Sequence, residues 1–264
     1  MKKTIALLLA VLLLLSTACQ KNDASDTPTT TTKSETTTAI IETNTSKQLP
    51  DYMKLYNEIK NDYLKLIEFR LSDDFNEDWI SVYDNLPLSD SFRNATEIEN
   101  KDLSYHWSCS VIELSFSNET TVDSFGYILC DLNSDDIPEL FFVNDSHDII
   151  SVFTCKGDSV VLLDAFWTRY LGYVSEEKEL YTKGSGGALD NHTSVLFLDA
   201  DFTLQEAFGF SSESNSENYR NPGYYEFINN EKTEIDKERF ENLCEMYPHK
   251  HSSFWMSLPI EPLK

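Results

Sequence analysis

The amino-acid sequence predicts an α+β fold: a strand-rich antiparallel meander with an N-terminal helix and a C-terminal helix, following a disordered stalk. Three observations carry this. Tyr52, Leu55, Tyr56, Ile59, Tyr63, Leu66 and Ile67 recur at helical spacing. From Phe125 onward, short β-branched or aromatic runs alternate with clusters of Asp, Asn, Ser and Gly. Near the end Phe240, Leu243, Cys244 and Tyr247 share a helical face, and Pro248 stops it.

Taken in order, Pro50-Asp51 opens the first helix and Ser72-Asp73-Asp74 ends it. Trp79, Val82, Tyr83 and Leu86 repeat the helical step before Pro87, and the stretch Ser108 to Phe116 alternates loosely. Strands are expected at 125–130, 140–143, 149–155, 160–166, 170–174, 179–182, 194–199, 203–208 and 224–229. Their close spacing favours antiparallel pairing over βαβ units. Aromatic residues make up 12% of the chain, which also favours strands.

The segment before the fold reads as an address. Lys2 and Lys3 precede an unbroken apolar run of eleven residues, Ile5 to Leu15, and Ser16-Thr17-Ala18 lead into Cys19. The run is shorter than the roughly 20 residues that span a bilayer, and polar residues follow at once. Residues 1–18 are therefore expected to be a cleaved signal peptide. The small residues before Cys19 resemble a bacterial lipoprotein lipobox, with Ser16 at the position that usually holds Leu. That resemblance implies lipidation of Cys19, and two or more acyl chains give stable anchoring. Residues 19–48 are dominated by Thr and other polar residues and are expected to form a disordered tether. Residues 49–264 are enough for a single globular α+β domain.

The formal charge is −24, and removing the signal takes away two lysines and no acid. Such a chain repels phosphate backbones, which argues against nucleic acid as a partner. It repels anionic lipid as well, so the membrane link is expected to be the covalent one at Cys19, on the extracytoplasmic face. Beyond Cys19 there are four cysteines, Cys109, Cys130, Cys155 and Cys244, which allow three full pairings. Cys130 and Cys155, near strand ends, are the first expectation for a bridge. Cys244 is expected to pack in the core, and no Cys/His spacing points to zinc.

The chemistry is concentrated in Asp131-Leu132-Asn133-Ser134-Asp135-Asp136-Ile137-Pro138-Glu139. Oxygen side chains fall at positions 1, 3, 5 and 9, the alternation that curls a loop around a hard cation. The candidate calcium ligands are Asp131, Asn133, Asp135, the Ile137 carbonyl and Glu139. Position 6 is Asp136, where such a turn needs positive φ and usually has Gly. The run Tyr127 to Val143 resembles the calcium loop of integrin-type and dockerin-type repeats. It is more similar to a segment of uncharacterised Gram-positive surface lipoproteins that carry a single loop of this type. The Gly184 to Ala188 stretch and the terminal acidic helix resemble parts of those proteins too, so the likeness runs from about Phe125 to Tyr247. It implies a single calcium-loop domain on the cell surface and brings no established activity with it. No second copy of the loop occurs, which argues against a propeller of repeats.

Other residues weigh less. Ser185, Asp190 and His192 lie within eight positions of one another, without a nucleophile elbow. His147, between acidic neighbours, reads as a solvated turn residue; His249 and His251 read as exposed. Trp107, Trp167 and Tyr170 read as core packing, with stacking on sugars as the competing role. The expected function is a lipid-anchored, non-enzymatic binding module for an extracellular carbohydrate or protein. The alternative is a surface hydrolase, or its accessory subunit, acting on extracellular glycan or peptide.

Overall fold

The computed structural model describes residues 52–73, 75, 83, 86–114, 120–185, 190–214, 221–229, 231–247 and 252–264. The signal and tether segments with Cys19, the positions Trp79 and Val82, the stretch 186–188, Pro248, His249 and His251 lie outside the described residues.

Helix α1 (Tyr52–Arg70) turns Tyr56, Ile59, Tyr63, Leu66 and Ile67 inward, all fully buried, as their spacing requires. Tyr63 lies flat on Phe142, ring centroids 3.7 Å apart, and meets Trp107 and Phe153 edge-on. Among the described residues two further helices belong to this layer, α2 (Asp90–Thr96) and α3 (Lys101–Ile112). Buried Asp62 ties α2 to α1 by accepting from the Ser89 N–H at 2.8 Å, directly before α2. The loosely alternating stretch at Ser108 is the end of α3 and not a strand. Asn100 caps α3 by accepting from the Asp102 and Leu103 N–H groups, and Trp107 and Val111 fall on its buried face.

The first sheet contains β1 (Phe125–Cys130), β2 (Glu139–Asn144), β3 (Ile149–Lys156), β4 (Ser159–Ala165) and the two-residue β11 (Glu261–Pro262), in the order β11-β1-β2-β3-β4. Every pairing is antiparallel. The second sheet is a plain meander of β5 (Tyr170–Val174), β6 (Leu180–Ser185), β7 (Asn191–Leu198), β8 (Leu204–Glu213), β9 (Gly223–Ile228) and β10 (Glu231–Ile235). The expected α+β architecture is therefore what the chain adopts. Charged β10 escapes sequence reading because it has no apolar alternation; it forms a polar edge.

The first sheet is buried on both faces. Leu140, Phe142, Phe153 and Cys155 face the three helices. Ile128, Cys130, Phe141, Val143 and Val152 face the other way, against Val174 and Leu180 of the second sheet. This alternation overturns the expected Cys130–Cys155 bridge. The two side chains are on opposite faces with β2 between their strands, and both are free thiols. Helix α4 (Lys237–Met246) covers β8 and β9 through Phe240 on Phe210 and Tyr224. Leu243 is buried, whereas Cys244 is only half-buried.

The short helix α5 (Ser253–Ser257) inserts Trp255, fully buried, beside Phe141. The chain then runs along β1 as β11. Gly126 permits that approach: a Cβ there would lie 2.3 Å from the Ile260 side chain and 2.6 Å from the Glu261 carbonyl oxygen. Among the described residues no helix is long and apolar enough to cross a membrane.

Candidate cation loop

The 131–139 loop links β1 to β2 immediately beyond the Cys130–Glu139 pair. Its side chains hold its own backbone. Asp131 Oδ1 accepts from the Ser134 N–H at 2.6 Å and Oδ2 from the Asp136 N–H at 3.3 Å. Asn133 Oδ1 accepts from the Asp135 N–H, and Asp135 Oδ1 from the Ile137 N–H at 2.8 Å. The Asn133 amide donates to Asp135 Oδ2 at 3.0 Å. These bonds draw Asp131, Asn133 and Asp135 into one turn. Asp136 has φ of 69° and Ser134 of 61°, so the position where the pattern has Gly does adopt the left-handed conformation.

Glu139 differs from those three in its burial. It is fully buried. Its Oε2 accepts from the Leu132 N–H at 2.7 Å and its Oε1 from the Thr154 hydroxyl at 3.1 Å. Burial pushes its carboxyl up to about 7, even though those donors favour the charged form. Ile137 enters the turn through its N–H, and the Tyr56 hydroxyl donates to the neighbouring Pro138 carbonyl at 2.8 Å. The loop is thereby fastened to α1 on one side and to β3 on the other.

The donor set is all oxygen, the chemistry a hard cation takes, and each oxygen holding one N–H retains a second lone pair. Among the described residues no three His, Cys, Asp or Glu side chains converge as a metal cluster. The burial of Glu139 was not readable in the sequence, because Thr154 meets it only through the β2–β3 pairing.

The hydrolase-like trio does not assemble. Asp190 accepts from the Ser214 N–H and hydroxyl, and Ser185 is paired with Asn191 in the β6–β7 ladder. His192 instead meets Ser194 and Glu206, both at its Nε2, and Ser194 also bonds Glu206 directly. A relay needs the acid and the nucleophile on different ring nitrogens, so this triangle is not a triad. His147 is not a solvated turn residue. Its Nε2 donates to the Leu258 carbonyl at 3.1 Å, and its own carbonyl accepts from the Trp255 indole at 3.0 Å. Trp107 is core and Trp167 is half-buried. Tyr170 packs between Phe166 and His106 and donates to buried Asp164 at 2.8 Å.

The chain matches no family model, no curated protein and no solved structure.

Proposed function

We propose that this chain is a lipid-anchored, extracytoplasmic binding module, non-enzymatic, with calcium stabilising the 131–139 turn. The observation that carries the calcium reading is the left-handed Asp136 in a turn whose oxygens alternate at Asp131, Asn133 and Asp135. Asp131, Asn133, Asp135, the Ile137 carbonyl and Glu139 would hold the ion. Its positive charge offsets the mutual repulsion of closely spaced carboxylates and lowers the cost of ionising buried Glu139. Through Tyr56 and Thr154 the stiffened turn braces α1 and β3.

The anchoring reading rests on the basic start, the apolar run and Cys19. The binding reading rests on the high negative charge and on a His192 cluster that lacks relay geometry. Calcium titration by calorimetry, with melting followed in parallel, tests the loop. Heat of binding and a rise in Tm at millimolar calcium are expected; neither heat nor shift would end the calcium reading. Mass spectrometry of the mature N-terminus tests the anchor, with a lipidated Cys19 expected and an unmodified Cys19 excluding it.

A further inference from the structure

Strand β10 lies at the end of the second sheet. β9 pairs it along one edge, and among the described residues no strand pairs the other. Glu231, Lys232, Thr233 and Glu234 are exposed, and Ile235 is half-buried. An open edge is a template for a further strand, and its backbone decides how that strand can lie.

The backbone phase follows from the hairpin. Ile228 pairs with Glu231 across a two-residue connection, and the pair flanking such a connection exchanges both backbone hydrogen bonds. The Asn229 N–H donates to the Ala207 carbonyl on the far side of β9. That fits the same alternation, in which neighbouring residues point their backbone groups in opposite directions. Glu231, Thr233 and Ile235 therefore turn their N–H and C=O groups toward β9. Lys232 and Glu234 turn theirs outward, where no described strand receives them.

The side chains select the strand that fits. Lys232 and Glu234, two positions apart, lie on one face of the sheet. Laid antiparallel against itself about Thr233, the edge sets Lys232 of one copy opposite Glu234 of the other, once on each side of the axis. These are also the residues whose backbone groups point outward, so each is a hydrogen-bonded pair. Thr233 meets Thr233 of the second copy at the non-hydrogen-bonded position between them. Moving the axis to Lys232 or to Glu234 puts like charges opposite each other, which is destabilising. Backbone phase and charge pattern name the same register. Lys232 holds Glu213 at 2.7 Å, with the two side chains 42% and 44% exposed. Exchanging one exposed ion pair for another costs little, so the backbone bonds supply the attraction and the charges choose the register.

We propose that β10 is a self-recognition edge, through which two copies of this chain join their second sheets into one antiparallel sheet about a two-fold axis at Thr233. The proposal depends on neither calcium nor anchoring. A five-residue edge buries less than the roughly 1,000 Å² expected of a stable interface, so the dimer is weak, with Kd of about 0.01–1 mM. The charge of −24 on each copy opposes association, and at about 0.15 M salt it is screened beyond about 8 Å. The charges that admit a second copy exclude strands without the same alternation.

The test is sedimentation equilibrium of the whole chain up to about 1 mM, carrying Cys19→Ser throughout so that neither lipid nor that thiol contributes. A monomer–dimer equilibrium is expected. Lys232→Glu and Glu234→Lys, each with native circular dichroism, are expected to weaken it about tenfold or more. The double variant Lys232→Glu/Glu234→Lys restores opposite charges across the axis and is expected to return to within about threefold of the parent. Thr233→Cys is expected to give a disulfide-linked dimer on mild oxidation, because the two Cα atoms approach to about 4.5 Å. Glu231→Cys, four strand steps from its counterpart and beyond the roughly 7 Å reach of a disulfide, is expected to stay unlinked. The parent, with half-buried Cys109 and Cys244, sets the background. A chain that stays monomeric at every concentration overturns the proposal. So does a double variant that dimerises no better than the single ones, or crosslinking at 231 as ready as at 233.

Discussion

The Thr154 hydroxyl donates to the Glu139 carboxylate at 3.1 Å, joining β3 to β2 through a fully buried acid. With its carboxyl raised to about 7 from an ordinary 4.5, Glu139 holds a proton in the folded state that it loses when unfolded at mildly acidic pH. Its contribution to stability is thus fully present below pH 4.5 and lost as pH rises through 7. The loss is on the order of 3 kcal/mol. Denaturant melts between pH 4.5 and 8 without calcium measure it. Glu139→Gln is expected to flatten the profile, and an unchanged slope would refute the assignment. Calcium at pH 7.5 is expected to recover part of the loss.

Asp136→Gly is expected to stabilise the protein. The native φ of 69° strains a residue with a Cβ by about 1–2 kcal/mol, and part of the relief is offset by the greater freedom of Gly in the unfolded chain. A gain of about 0.5–1 kcal/mol should appear in urea melts. If calcium binds there, its affinity should rise in the same variant.

Trp255 and Gly126 secure the C-terminal segment to the first sheet. Trp255→Ala empties a fully buried site beside Phe141 and deprives the His147 carbonyl of its donor, so about 3–5 kcal/mol should be lost. Gly126→Ala should cost about 1–3 kcal/mol by forcing β11 away from β1. Hydrogen exchange should then show faster exchange in β1 with α1 unaffected.

Cys130 and Cys155 should remain thiols even under oxidising conditions. Burial raises each to about 11, which suppresses thiolate, and their opposite faces forbid a bridge. Reductant should leave Tm unchanged, and both thiols should react with a thiol reagent only after unfolding.

Much of the fold was legible because the residues announce it locally. Strands β1 and β5 start and stop where their apolar runs meet turn residues. Helix α3 was hidden because Ser104, Ser108 and Ser110 interrupt its apolar face, although Leu103, Trp107 and Val111 keep helical spacing. The two-residue β11, one of them proline, has no periodicity at all and exists only through its partner. The cysteine expectation failed for a related reason. β2 is apolar at every interior position because both faces are covered, so its sequence could not show which neighbour faces which side. Within the site, the strained turn at Asp136 was legible from spacing, whereas the burial of Glu139 depends on a residue in another strand.

The Trp255–His147 bond has a consequence for how the chain is made. The two residues are 108 positions apart. The β2–β3 hairpin therefore leaves the ribosome long before the indole that seals its outer face arrives. In the interval Phe141 lacks the Trp255 ring and has only the second sheet to cover it on that face. Arrival of Trp255 completes the cover of that face, so closure of the first sheet waits on a residue near the end of the chain.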